Sequence, residues 1–321
     1  MSRDPEKLGG PERVAEAMEA LERYGPALPS FRRAHARGIG LRGHFTATPE
    51  VAALSTAEHL QGQRVAAVVR LSNGAPSPYA PDRKAVLGLG VRFELASSGD
   101  VAAWASLTID HAPFGVPDDF IALQSAQRRG KNGKPSPLRL IPHILTHLDT
   151  LPGLLAVLKA PTTPSFAHSA FFGLTAYFLV DAEGTRRAFR YRWIPSDDAK
   201  GLTAQQDREY PEQYLLSEIR NRVAAGPISW TLVFQMAAAG DPTDDVTKQW
   251  PQDREDVTAG TLVLDRMHED PELLDGLVFD PTKVPPGLEL SQDPLLRFRS
   301  EAYAESHRRR TSEAKLAVRP E

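Results

Sequence analysis

The chain contains no cysteine. That absence excludes a disulfide framework, a thiolate nucleophile, an iron–sulfur centre and any cysteine-ligated zinc or haem. It leaves His, Asp, Glu or Tyr to hold a metal. Positive charge is not in excess either: 38 Lys and Arg against 41 Asp and Glu give a net charge of −3 and a pI near 6.3. A dedicated nucleic-acid binder is usually strongly basic, so that class is disfavoured. A long apolar run is also missing. The most apolar stretch, about Leu138 to Leu158, is broken by Arg139, His143, His147, Asp149 and Pro152, and is too interrupted to span a bilayer. The first residues, Met1-Ser2-Arg3-Asp4-Pro5-Glu6-Lys7, are charged and lead into no apolar segment. The expectation is no signal peptide, no membrane insertion and a soluble cytoplasmic protein. No internal repeat, Ser/Gly linker, P-loop or Gly-x-Ser-x-Gly elbow occurs.

What is present fits one large domain or two ordinary ones: 321 residues, 41% of them hydrophobic, are ample for a sizeable core. Proline is over-represented, at 27 residues, and implies stiff turns and a loop-rich fold. Residues 11–24 read as an amphipathic helix with Pro11 in its first turn. Strand-like runs follow at Arg64–Leu71, Val86–Leu95 and Val101–Ile109, separated by clusters such as Asn73-Gly74-Ala75-Pro76. Residues 118–160 have helical period, with Asp118 and Asp119 as caps. Strands return at Gly173–Val180 and Arg187–Trp193, joined by the hairpin signal Asp181-Ala182-Glu183-Gly184. A helix is expected over 208–223, then strands at Ile228–Met236 and Thr261–Asp265. The last element is a helix from Asp293, its cap, through Pro294 to about Arg310. Strands, helices, strands, helix is an α+β order rather than that of a doubly wound sheet.

Two motifs invite a functional reading that their context denies. Gly38-Ile39-Gly40-Leu41-Arg42-Gly43 is a literal GxGxxG. A dinucleotide fingerprint needs a strand before it and a helix after it, but here a basic segment precedes and the strand-like Gly43-His44-Phe45-Thr46-Ala47 follows. Glycines that permit a tight backbone crossing are the better explanation. His143 and His147 have the i, i+4 spacing of a zinc pair, but Ile144-Leu145-Thr146 between them lacks the general-base glutamate of a zincin. A partly buried helical face is the simpler account.

The last helix is more specific. Arg299, Tyr303, His307 and Arg310 fall at i, i+4, i+8 and i+11, which puts them on one stripe roughly 80° wide. An arginine one turn before a tyrosine can hold it as phenolate, because a nearby cation favours the charged form. A phenolate oxygen suits ferric iron, and tyrosine is the proximal haem ligand of catalases. On spacing alone, a solvated basic helix end, with His307-Arg308-Arg309-Arg310 as a charge run, explains the same residues.

Motifs elsewhere decide between the two. Arg299 through Arg310 matches R-x-x-x-Y-x-x-x-H-x-x-R, the proximal pattern of the monofunctional haem catalases. Val284-Pro285-Pro286-Gly287-Leu288-Glu289-Leu290-Ser291-Gln292-Asp293-Pro294 resembles that family's lead-in to it. Thr247-Lys248-Gln249-Trp250-Pro251 resembles T-K-x-W-P, and Gly260–Arg266 resembles G-x-L-x-L-N-R. Near the start, Arg32-Arg33-Ala34-His35-Ala36-Arg37-Gly38 resembles the distal-histidine segment and Arg70-Leu71-Ser72 the distal-serine segment. The likeness is collinear from about residue 31 to 310.

The resemblance implies a catalase-like antiparallel β-barrel core with surrounding helices, and haem b, with no Cys-x-x-Cys-His to attach it, between barrel and proximal helix. It implies His35 as distal acid–base group, Ser72 as its hydrogen-bond partner and Tyr303 as axial ligand. It further implies Arg299 holding Tyr303 ionised, and Arg32, Arg70 and Arg310 on the haem propionates. It suggests an N-terminal helical arm at 1–28, a haem-binding domain at 29–315 and a tail at 316–321. The stretch Ser106–Ile121 departs from the pattern: it has no distal asparagine, and Asp110 or His111 lies near the expected position. The chain is also shorter than a catalase and resembles the catalase-related peroxidases. The expected function is therefore peroxide reduction by small organic donors with weak catalase activity. A true catalase, a fatty-acid hydroperoxide isomerase resembling allene oxide synthase, and a haem-binding protein with little turnover are the alternatives. Loss of the arm that interlocks catalase tetramers suggests a homodimer.

Overall fold

Strand-forming sequence occurs in two blocks, and each folds as an antiparallel meander. In this computed structural model β1 (Gly38–Ala47), β2 (Arg64–Asn73), β3 (Leu87–Glu94) and β4 (Val101–Leu107) pair in chain order. So do β5 (Phe171–Val180), β6 (Arg186–Pro195), β7 (Ile228–Met236) and β8 (Asp256–Met267). β1 then pairs with β8, from Leu41↔Met267 to Ala47↔Gly260, and β4 meets β5 at Leu107↔Phe172. Those two contacts close eight strands into an antiparallel barrel, and β9 (Leu288–Leu290) adds to β5. The helices are α1 (Pro11–Tyr24), α2 (Pro49–Ala52), α3 (Pro117–Ala126), α4 (Pro137–Thr146), α5 (Leu151–Leu158), α6 (Leu215–Ala225), α7 (Pro271–Gly276) and α8 (Pro294–Ala317). The structure describes all residues except 1–9, 25–27, 97–100, 129–135, 161, 198–200, 204–205, 207–208 and 318–321. No helix among the described residues is long and apolar enough to cross a membrane.

Aromatic residues make up just 7% of the chain, yet they fill the barrel. Phe45, Phe93, Trp104, Phe189, Trp193 and Phe234 are fully buried in one cluster. Trp104 sits 4.6 Å from Tyr191 and 5.8 Å from Phe93, ring centre to ring centre. An eight-stranded barrel has an interior just wide enough for side chains to fill, and large rings fill it with few residues. A second cluster joins α1 to α8. Val14, Ala17, Met18 and Leu21, at i, i+3, i+4 and i+7, pack with Leu295, Phe298 and Ala302.

The α+β reading and the barrel are borne out, and α1 and β7 fall at their expected bounds. The other bounds moved. The helical stretch 118–160 is three helices, each begun by a proline at its first or second position. Asp118 and Asp119 do not cap α3: Val116 precedes it, and Asp118 pairs with Arg13 at 3.1 Å. The helix expected over 208–223 is continuous from Leu215 onward, after bends around Pro211, and residues 207–208 lie outside the described ones. α8 begins as expected, with Asp293 Oδ1 accepting the Leu295 N–H at 2.9 Å, but runs past Arg310 to Ala317.

The GxGxxG segment lies inside β1, which starts at Gly38 rather than Gly43. Each glycine makes room for something different. A Cβ on Gly38 would lie 2.5 Å from the Arg70 guanidinium carbon, and one on Gly40 would lie 2.6 Å from Leu274. On Gly43 it would lie 1.9 Å from the Val263 carbonyl oxygen, at the bulge where β1 shifts register against β8. Backbone cannot yield as a side chain tip can. Gly43→Ala should therefore cost about 3 kcal/mol or more of stability, measured by denaturant unfolding, whereas Gly276→Ala, with open space around it, should stay within about 0.5 kcal/mol.

Candidate active site

The site begins with a strained residue. His35 precedes β1 with a φ of 54°, the left-handed region that side chains other than glycine rarely adopt. Its backbone is held on both sides: the His35 N–H donates to the Gly74 carbonyl at 3.2 Å, and Arg70 Nη2 donates to the His35 carbonyl at 2.9 Å. The side chain turns onto β2 and β3, where Nδ1 lies 2.9 Å from Ser72 Oγ. The Ser72 hydroxyl has a second neighbour, the Gly88 carbonyl, to which it donates at a long 3.5 Å. With that proton committed, Ser72 accepts from Nδ1–H, and Nε2 is left as the ring's acceptor. Gly88 is needed for the arrangement, since a Cβ there would lie 2.6 Å from the ring. Burial, then the charges of Arg70, Arg299 and Arg32, push the His35 imidazole down to about 3. It is neutral at any physiological pH.

From the helix side α8 contributes Arg299 and Tyr303. One turn apart, they place the guanidinium Nη2 as donor 2.9 Å from the phenolic oxygen. Burial works against the Arg299 charge, but Tyr303 next to it, then Tyr177 and Tyr191, raise its hold on the proton above the ordinary value. Asp293, the buried cap of the same helix, has its carboxyl pushed up to about 6 by burial, against the opposing pull of the Leu295 N–H and Arg299.

Three more arginines, Arg32 before β1, Arg70 on β2 and Arg310 on α8, reach the same cavity. Burial and the other two cations bring Arg70 down to about 9; burial and Arg32 bring Arg310 down to about 10, and burial lowers Arg32. The carboxylate acting on them among the described residues is Asp275, and none of the three forms an ion pair within 4.0 Å with a described residue. Arg32 Nε and Arg70 Nε are buried without a hydrogen-bond partner. The cavity encloses about 630 Å³. Leu89, Leu107, Ile109, Phe114, Phe120 and Phe279 are among its apolar lining residues, Asn73, Lys84, Ser106, Gln124, Gln127 and Thr175 are among its polar ones, and no Asp or Glu among the described residues lines it.

A family model described as Catalase matches residues 16–318. The chain belongs to the catalase family. A catalase-related peroxidase of Mycolicibacterium paratuberculosis is 36% identical over 315 residues, which cover 95% of this chain and 97% of that relative. One from Synechococcus elongatus is 30% identical over 94% of this chain and 88% of its own length. Catalase isozyme 3 of Zea mays is 27% identical, and the chain spans 60% of it. Among solved structures, a bacterial catalase has a TM-score of 0.78 at 22% identity over 92% of this chain and 60% of its own. Catalase A from Saccharomyces cerevisiae has 0.79 at 18% over 91% and 64%. These two share the fold.

Catalase membership implies a haem iron cofactor, and the donor set fits one. The fit rests on buried guanidinium groups that have no anion, an apolar cavity and a tyrosine held by an arginine. All seven residues singled out from the sequence, Arg32, His35, Arg70, Ser72, Arg299, Tyr303 and Arg310, line this one cavity. His307, the remaining member of the α8 stripe, does not; its Nδ1 accepts from Arg310 Nη2 at 2.8 Å and braces that arginine. Asp110 and His111 are a correction to the sequence reading. They pair with each other at 2.7 Å, Gln249 also donates to Asp110, and neither lines the cavity, whose wall there is Ile109, Ala112 and Phe114. His143 and His147 stack 4.3 Å apart, and no group of three metal-binding side chains occurs among the described residues.

Sequence reasoning missed Gly88 and Gly90, which clear space for His35 and for Phe279. Two glycines at period two inside an otherwise apolar strand were the available signal. It also missed Asn73, Gln124 and Gln127, the carboxamides that do line the cavity. Two outcomes follow. The rate of reaction with peroxide should show no limb near pH 6.5 between pH 5 and 8, because a base brought down to about 3 is already unprotonated there; stopped-flow across that range checks it. Gly88→Ala should slow the same step about tenfold or more, with haem content and unfolding midpoint retained.

Proposed function

We propose that this chain is a haem peroxidase, an oxidoreductase that reduces hydrogen peroxide or organic hydroperoxides with small organic electron donors. The overall change is ROOH plus two electrons and two protons giving ROH and water, with the donors supplying the electrons. One observation carries the reading. His35 with Ser72 from the barrel side, and Tyr303 with Arg299 from the helix side, line the same cavity. The catalase-related peroxidases that are 36% and 30% identical support it.

The cofactor of this proposal is haem b: Tyr303 would bind its iron, and Arg32, Arg70 and Arg310 would hold its carboxylates. When bound, the haem iron supplies the redox chemistry that cleaves the peroxide bond. The chain's own residues do the rest. His35 Nε2 would take the proton from one peroxide oxygen and return it to the other as it leaves. Ser72 fixes the imidazole tautomer and plane throughout. Arg299 holds negative charge on the Tyr303 oxygen.

Peroxidase is preferred to catalase because the second half of dismutation needs another hydrogen peroxide to be oriented. No carboxamide stands in the Ser106–Ile121 stretch, and apart from Ser106 the wall it forms is apolar, which favours bulkier organic substrates. We propose a cytoplasmic location.

Purified protein should show a Soret band that Tyr303→Phe abolishes, with the fold intact by circular dichroism. His35→Ala should keep the haem and lose about 10²–10⁴-fold in the peroxide step. Both are read by absorbance. Rapid oxygen release from hydrogen peroxide without a donor would reverse the ranking of peroxidase over catalase.

A further inference from the structure

Helices α4 and α5 turn their apolar faces outward. In α4, Leu138, Ile141 and Leu145 stand at i, i+3 and i+7 within an arc of about 60°. They are 88%, 56% and 67% exposed, while His143 on the other side of the helix is buried. In α5, Leu151, Leu155 and Leu158 repeat the stripe at i, i+4 and i+7, and all three are exposed. The turn Leu148–Thr150 joins the helices and exposes Leu148 as well. A surface helix normally buries such a stripe, and a contiguous apolar patch of this kind marks an interaction surface.

The sequence of this segment is mostly cationic. In sequence, residues 128–160 carry six cations, Arg128, Arg129, Lys131, Lys134, Arg139 and Lys159, and one acid, Asp149, in a chain of net charge −3. Arg128, Arg139 and Lys159 are exposed, and none forms an ion pair with a described residue. The inner side of α5 is also occupied: Leu154 and Val157 line the cavity described above. The α5 part of the patch is therefore the outer face of the cavity wall.

We propose that α4 and α5 dock this protein on an anionic lipid bilayer. The exposed leucines enter the boundary between headgroups and acyl chains, and Arg139 and Lys159 lie against lipid phosphates. Apolar stripes beside unpaired basic residues are the two components of interfacial binding. A second copy of the chain is the other candidate occupant. A two-fold contact would set this basic segment near its own image, which disfavours that choice. Docking would bring the cavity wall to the surface from which apolar hydroperoxides partition, and it stands whether or not the peroxidase reading does.

The test uses the full-length haem-loaded protein. It is sedimented with vesicles of phosphatidylcholine containing phosphatidylglycerol, and with pure phosphatidylcholine, at low and high salt. The expected result is binding to the anionic vesicles and about tenfold weaker binding to neutral ones or at high salt. Leu145→Ser with Leu158→Ser, and separately Arg139→Glu with Lys159→Glu, should each weaken it about tenfold. The Soret band and turnover of a water-soluble peroxide should not change. Equal sedimentation with both vesicle types, or none with either, overturns the proposal. So does a leucine variant that converts a dimer to a monomer by analytical ultracentrifugation with no effect on vesicle binding. The charge-reversal pair keeps the test decisive if the leucine pair misfolds.

Discussion

Three guanidinium groups, those of Arg32, Arg70 and Arg310, are brought together at a cavity that no carboxylate among the described residues lines. Gathering like charges away from water is costly, and the lowered proton affinity of all three measures that cost. Much of the surrounding structure exists to hold them in place. The Arg70 guanidinium fits because position 38 has no side chain, and it grips the carbonyl of the strained His35. Arg32 donates to the Leu274 and Leu277 carbonyls, and Arg310 to that of Asp275 and to His307. These partners orient the arginines without neutralising them.

Much of this was legible in the sequence, and the part that was not shares one cause. The stripe Arg299, Tyr303, Arg310 is local, because a helix converts spacing into a face without help from the rest of the chain. Asp293 as cap and the hairpin at Asp181–Gly184 are local too, and both formed as read. What failed depended on distant partners. Asp118 looks like a cap until Arg13, 105 residues away, takes it. Asp110 and His111 sit at about the right place in the chain for a cavity residue, but the Gln249 loop draws Asp110 outward. The length of β8 could not be read from Thr261–Asp265 either, since its first residues are strand through pairing with β7.

The glycines show the same division. A pattern search sees Gly38, Gly40 and Gly43 as one phosphate-binding motif. In the folded chain they are three unrelated clearances, for an arginine, a leucine and a neighbouring strand. Gly88 and Gly90, which no motif flags, bear more directly on the site because one of them faces the His35 ring.

The seam of the barrel carries a last consequence. β1 through β4 and β5 through β8 are each contiguous in the chain, so either meander can form from nearby sequence. Between them lie the three helices α3 to α5, and β4 meets β5 through the single pair Leu107↔Phe172. His35 immediately precedes the first meander and Ser72 and Arg70 belong to it, whereas Tyr303 and Arg299 follow the second. Neither half holds both walls of the cavity. Assembly order thus works as a safeguard: a nascent chain has no complete pocket in which to bind a redox cofactor until its two halves have joined.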